Sequence, residues 1–426
     1  MENQNKIKYK KNNARLYSIY MMISFNLVFY YTISFLFFTT VKNFSVAEVL
    51  LIGSFLPLFK VLIQIPTTLL IQKIGKKKVL VIGNFLIILY LVQLITCNNL
   101  TSLIFATAIL ATAVSFKELT TNNILYESLN HKQGKGIYSK IESIGTYYYY
   151  IFDAITAVIS GFLFVKNGYY PLYFSIVFAI LSFCISMFFK ENKKIKNTKV
   201  NVFKDIEKNL KDIISPIKFI VNSNRLKALF FFGAVFYTYK YIFLTARNAM
   251  IVDIVINPIS FSIIVAVLQL IGGISIKYIE TYKKIFKNKI LISFAFISMS
   301  SGLIATCIFL LSIDNSIKIK LMFILFIFQY ITNLSYIVLM EKYLKSFSGS
   351  EMAVKIKMVY NIIIYLAQAI FTFIASYILG YFNIGIAVLL IGIVYFILLI
   401  FVAKYMKNKV GLKPNEYKIG EIEKLN

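Results

Sequence analysis

The chain has 426 residues, of which 59% are hydrophobic and 15% charged, with a mean hydropathy of +0.74. A soluble domain carries about 25% charged residues, and the apolar residues here fall in blocks of about 20, the length that crosses a bilayer. The formal net charge of +28 reflects membrane topology rather than nucleic-acid binding, and three cysteines without paired spacing and one histidine, His131, leave no basis for a disulfide framework, zinc chemistry or a hydrolytic triad.

Twelve spans are expected, near 16–40, 46–72, 79–97, 101–128, 139–165, 170–189, 228–251, 258–279, 290–312, 319–340, 356–380 and 384–404. The first follows a basic start and runs from Leu16 to Thr40 without an Ala-x-Ala-like end, so it is read as a span and not as a signal peptide. The termini and alternate connections hold 38 Lys/Arg, against four on the other side: Lys42, Lys166, Lys318 and Lys320. Positive charge is retained on the cytoplasmic face, so both termini are expected in the cytoplasm of a multi-pass protein of the cell membrane. The expected division is an N-terminal six-helix half at 1–189, a cytoplasmic linker at 190–227 and a C-terminal half with its tail at 228–426. Within the linker, Phe203, Ile206, Leu210, Ile213 and Ile217 recur at helical spacing. They fit either an amphipathic helix on the membrane face or a solvated linker helix.

Between spans two and three the chain reads Pro66-Thr-Thr-Leu-Leu-Ile-Gln-Lys-Ile-Gly-Lys-Lys-Lys-Val-Leu80. So short and basic a connection between two membrane-length runs marks a cytoplasmic hairpin. It resembles the signature loop of the major facilitator superfamily, Gly-x-x-x-Asp-Arg-x-Gly-Arg-Lys. Lys73, Gly75, Lys76 and Lys77 match that pattern, Thr68 stands at the first Gly, and Gln72 replaces the Asp. After span eight, Gly273 to Lys277 followed by Glu280, Lys283 and Lys284 is a weaker echo. At the end of span four, Ile124-Leu-Tyr-Glu-Ser-Leu129 is similar to a segment of drug-exporter-like members. The Gly-Pro motif that many proton-linked antiporters carry in span five is absent, Ser160-Gly161 being nearest. The resemblance implies an all-α polytopic membrane protein of twelve helices in two six-helix pseudo-repeats around a central cavity.

Ionisable and amide groups at membrane depth are costly, so they are the candidates for chemistry. Span two aligns Gly53, Pro57, Lys60, Gln64 and Thr68 on one stripe, with Lys60 about 21 Å in. Span four carries Ser115, Glu118, Asn122 and Tyr126 on one face, with Lys117 adjacent, and span five places Asp153 at mid-depth. In span seven Gly233, Tyr237, Lys240, Leu244 and Arg247 form a stripe. The chain has 43 Lys and three Arg, so an Arg within a span points to a need for a planar five-donor group, an interfacial anchor being the alternative. Asn26, Gln269, Gln329, Asn333, Asn361 and Gln368 add amides that can serve substrate or helix packing.

The substrate-binding set is therefore Asn26, Lys60, Gln64, Lys117, Tyr237, Lys240, Arg247, Gln329 and Asn333. Glu118 and Asp153 are the proton-coupling candidates, ion-pair partners for Lys117 and Lys60 being the alternative role. Gln72, Lys73, Gly75, Lys76, Lys77 and Lys78 form the gate loop, expected to engage helix ends and acids in one conformation only. The tyrosine run 147–150 is expected to face lipid or pack.

The expected function is secondary transport of a small solute by alternating access, without enzymatic activity, cofactor or metal, as a monomer in the bilayer with a coupling ion such as the proton. Export of a drug-like or toxic compound is the first reading. Uptake of a nutrient or anionic metabolite and a non-transporting sensor or assembly partner are the alternatives. Four cations in the spans against two acids also argue for a substrate carrying negative charge.

Overall fold

The computed structural model describes residues 2–128, 134–191, 217–255, 257–286, 289–346 and 350–406. Every ordered element is helical among these residues: α1 (Glu2–Ser24), α2 (Tyr30–Leu36) running into a π-helical turn (Phe37–Val41), α3 (Val46–Ile74), α4 (Lys76–Thr96), α5 (Leu100–Ser128), α6 (Gly134–Lys166) and α7 (Tyr170–Phe188). Then come α8 (Asn224–Ile254), α9 (Pro258–Ser275), a 3-10 turn (Ile276–Tyr278), α10 (Ile279–Phe286), α11 (Ile290–Leu310), α12 (Asn315–Ser346), α13 (Ser350–Tyr381) and α14 (Ile384–Met406). An apolar segment in hydrocarbon must satisfy its own backbone, and a continuous helix does so. Eleven helices among the described residues are long and apolar enough to cross a membrane, so the chain is an all-α polytopic membrane protein.

Local signals set the helix starts. Ser45 and Glu48 close a reciprocal capping box before α3: the Ser45 amide donates to Glu48 Oε2 at 2.8 Å and the Glu48 amide donates to Ser45 Oγ at 3.2 Å. Asn99 caps α5 by accepting from the Ser102 amide, and Ser223 caps α8 by accepting from the Leu226 amide. Pro57 and Pro66 lie inside α3, which nevertheless continues to Ile74.

The expected first span differs most from expectation. It is not one helix: α1 stops at Ser24, residues 25–29 form turns, and Phe29 adopts φ 67° before α2 begins. The segment contains neither Pro nor Gly, so no local residue announces the break. The weaker echo after span eight differs from the first loop: its Lys277 lies in the 3-10 turn and its Glu280, Lys283 and Lys284 lie on α10, with 287–288 outside the described residues. Of the linker's apolar positions, 203, 206, 210 and 213 lie outside the described residues.

The chain divides into two compact units. The first comprises Met1–Phe44, Phe55–Glu207 and Asn257–Val267, the second Ser45–Ser54, Lys208–Ile256 and Leu268–Asn426. In the first, α1 packs on α6 and α7, and α4 lies between α5 and α7. In the second, α8 packs on α13 and α14, and α11 lies between α12 and α14, so the same order of pairings recurs. Tyr17, Tyr20, Leu80, Ile124, Leu125 and Phe189 form a buried cluster at one end of the first unit. Large side chains such as Phe162 and Phe401 lie exposed, the position expected of lipid-facing groups.

Candidate functional site

In the first unit the break at 25–29 collects polar groups. Backbone carbonyls that lose their helical partners must find others. The Asn26 carbonyl accepts from the Val28 amide and the Leu27 carbonyl from the Tyr31 amide. Ser175 Oγ on α7 donates to the Val28 carbonyl at 2.6 Å. The Ser24 carbonyl, at the end of α1, receives the Lys117 ammonium from α5. Asn26 donates to the Tyr149 hydroxyl at 2.8 Å, and Tyr149 is buried. The tyrosine run is therefore divided: Tyr147 and Tyr148 are exposed, whereas Tyr149 is part of the interior.

Asp153, one helical turn beyond Tyr149, is 2% exposed and makes no ion pair among the described residues. Glu118 is instead paired with Lys60 at 2.8 Å, their side chains 51% and 12% exposed. Of the two ion-pair alternatives, then, Glu118 takes Lys60 and not the adjacent Lys117, because consecutive helical residues diverge in direction. Gln64, one turn from Lys60, is buried, and its Oε1 has no hydrogen-bond partner among the described residues.

In the second unit, the α8 stripe meets α12 and α13. Tyr237 makes edge-on contacts with Tyr336 and Tyr360, and its carbonyl accepts from Gln368 Nε2 at 3.3 Å. Arg247 is 3% exposed, its guanidinium stacked 4.7 Å from the centre of the Tyr330 ring. It donates to the Asn248 side chain at 3.0 Å, while its buried Nε has no hydrogen-bond partner among the described residues. Tyr330 is the sixteenth residue of the 32-residue α12. Arg247 thus sits against the middle of a long helix. Lys240 has no hydrogen bond or ion pair among the described residues. Gln329 and Asn333 face α11: Ser298 Oγ donates to Asn333 Oδ1 at 2.8 Å, and Gln329 Nε2 lies against Gly302. Asn333 is thus turned to α11, Gln329 lies where Gly302 of α11 meets Tyr239 of α8, and Tyr330 and Tyr336 contact α8. Tyr330 was not among the sequence candidates, and nothing in its local sequence distinguishes it from the other aromatics.

The basic hairpin closes on itself. Gly75 has φ 91° and ψ 159°, a backbone region essentially restricted to glycine. The carboxylate of Glu191, three residues beyond the end of α7, accepts from the Lys76 amide at 2.8 Å and the Lys77 amide at 3.0 Å. It occupies the positive end of α4, where an anion is favoured. The acid engaged by the loop is therefore Glu191, which the sequence did not bring forward, and Gln72 is exposed together with Lys73 and Lys78. Asn13 braces the same corner, donating to Ser128 Oγ at 2.7 Å and the Lys190 carbonyl at 2.8 Å while accepting from the Lys190 amide at 3.1 Å. The side chains of Tyr126 and Glu142, and His131 altogether, lie outside the described residues.

Among the described residues, no group of three or more His, Cys, Asp or Glu is placed to hold a metal. The family model described as Major Facilitator Superfamily matches residues 16–354. A solved structure of a mutant of the nucleoside transporter NupG has a TM-score of 0.72 at 12% identity, over 93% of this chain and 99% of that one. The structure of NupG itself has a TM-score of 0.69 at 13% identity, over 93% and 100%. A POT family transporter in complex with 5-aminolevulinic acid has a TM-score of 0.64 at 12% identity, over 94% and 95%. At these identities the likeness is one of fold. No curated protein matches the chain.

Proposed function

We propose uptake of a small anionic or zwitterionic solute by this chain, which belongs to the Major Facilitator Superfamily and is a secondary transporter using that superfamily's alternating-access fold. The observation that carries the reading is the charge balance along α8. Lys240 and Arg247 lie two turns apart, about 10 Å in rise, and neither meets a carboxylate among the described residues. In the first unit, by contrast, Lys60 is neutralised by Glu118. An uncompensated cation at membrane depth costs several kcal/mol or forces neutralisation, and Arg effectively cannot be deprotonated. A ligand bringing negative charge is the least costly remedy. A drug-like cation would instead meet two positive groups, so uptake of a nutrient or anionic metabolite replaces export as the preferred reading. The transporter holding 5-aminolevulinic acid, a zwitterion, lends support to a solute of that charge class.

Within this reading the broken α1–α2 pair is the twelfth span, both termini are cytoplasmic, and the protein acts as a monomer. Asp153, buried and without an ion pair among the described residues, is the proton carrier, whereas Glu118 is occupied by Lys60. Uptake into proteoliposomes, measured with a panel of matched anionic, zwitterionic and cationic solutes, tests it. An anion or zwitterion should accumulate, and Lys240→Met and Arg247→Met should each lower its uptake at least tenfold. Selective flux of cations, unchanged in both variants, would overturn it.

A further inference from the structure

We propose that the break in the first membrane helix is a monovalent-cation seat whose resident cation is supplied by the chain itself, as the ammonium of Lys117. Secondary transporters commonly coordinate small cations with unwound carbonyls and the C-terminal ends of half-helices, where the peptide dipoles present negative charge. Three features build such a seat here. The helix ends at Ser24 in mid-run, with Phe29 at φ 67° holding the turn open. The neighbouring carbonyls at 26, 27 and 28 are already taken by the Val28 amide, the Tyr31 amide and Ser175 Oγ, whereas the Ser24 carbonyl is left for a charged donor. The Lys117 ammonium fills it and also lies 5.9 Å from the centre of the Tyr20 ring, whose hydroxyl is fixed by Asn84 at 3.0 Å.

The route of the lysine is built as well. Its stem crosses α4 at Gly83, where an added Cβ would come within 3.4 Å of Lys117 Cγ and 3.0 Å of Phe116 Cβ. The adjacent acid does not compete, because Glu118 is paired with Lys60. The seat is thus a carbonyl and an aromatic face that meet one ammonium group, served by a tether. Its consequence is that this helix stays broken without a bound sodium or potassium ion. The seat is independent of which solute the transporter carries.

The test removes the tether and returns the cation from solution. Purified Lys117→Ala should melt at a lower temperature than the unaltered protein, and methylammonium chloride should raise its melting temperature by about 2–4 °C. Choline chloride, whose quaternary nitrogen has no N–H to donate to the Ser24 carbonyl, should not, and the unaltered protein should respond to neither. Rescue by sodium or potassium in place of methylammonium would also support a monovalent-cation seat. Lys117→Met fills the space with an apolar chain, so it should resist rescue and show faster amide exchange confined to residues 25–31. An unchanged melting temperature in Lys117→Ala, an equal response to choline, or unaltered exchange in Lys117→Met would each overturn the proposal. If Lys117→Ala cannot be purified, the exchange measurement on Lys117→Met decides alone.

Discussion

Replacing Gly75 by alanine tests how the basic hairpin is held. The residue has φ 91° and ψ 159°, and an L side chain there costs about 1–3 kcal/mol in backbone strain. Its new Cβ would also lie 2.9 Å from Glu191 Oε2. The carboxylate would have to withdraw from the Lys76 and Lys77 amides, whose bonds to it measure 2.8 and 3.0 Å. Each bond is worth about 1 kcal/mol once partial exposure is discounted. Gly75→Ala should therefore destabilise the protein by about 2–5 kcal/mol, and Glu191→Ala by about 2 kcal/mol. The two losses overlap, since once the carboxylate is gone alanine meets only the strain. Reversible unfolding in mixed detergent–dodecyl sulfate micelles, followed by circular dichroism, should show the double variant losing less than the sum by about 1–2 kcal/mol. Additivity within about 0.5 kcal/mol would mean that the carboxylate does not seat on this turn, and the account of the hairpin would fail.

Asp153→Asn should abolish accumulation driven by a pH gradient while sparing solute counterflow in proteoliposomes; a variant that still follows the gradient removes Asp153 from coupling. Glu118→Gln should remove the ion pair with Lys60, whose partner carboxylate is 51% exposed, and lower stability by about 0.5–1 kcal/mol, whereas Lys60→Met with Glu118→Met should recover most of that loss. Asn13→Ala should cost about 1–3 kcal/mol, because it deletes one side chain's three hydrogen bonds at a buried corner. Ser175→Ala should cost about 1 kcal/mol and quicken amide exchange near Val28, while leaving the Glu191 corner unchanged.

Much of this protein is decided before any helix packs. Apolar blocks of membrane length admit only helices, because hydrocarbon offers the backbone no other partner. Eleven of the expected spans accordingly correspond to continuous helices. Gly75 was legible too, since a turn between two such helices forces a conformation that glycine alone adopts readily. The stripe on α8 could be read from helical spacing, which places Tyr237, Lys240 and Arg247 on one face without knowledge of their neighbours. Partners could not be read that way. Whether Glu118 meets Lys60 or Lys117, whether Arg247 stacks on Tyr330, and whether Glu191 reaches the Lys76 amide each depend on residues 58, 83 and 115 positions apart, brought together only by helix packing. The break at 25–29 belongs to the same class. Phe25-Asn-Leu-Val-Phe29 holds no Pro or Gly that would force a break, and the contacts that hold it come from three helices: Lys117 on α5 and Ser175 on α7 reach backbone carbonyls, and Tyr149 on α6 accepts from the Asn26 side chain. A local sequence can specify that a segment is helical, but an interruption compensated from three other helices exists only once all of them are in place.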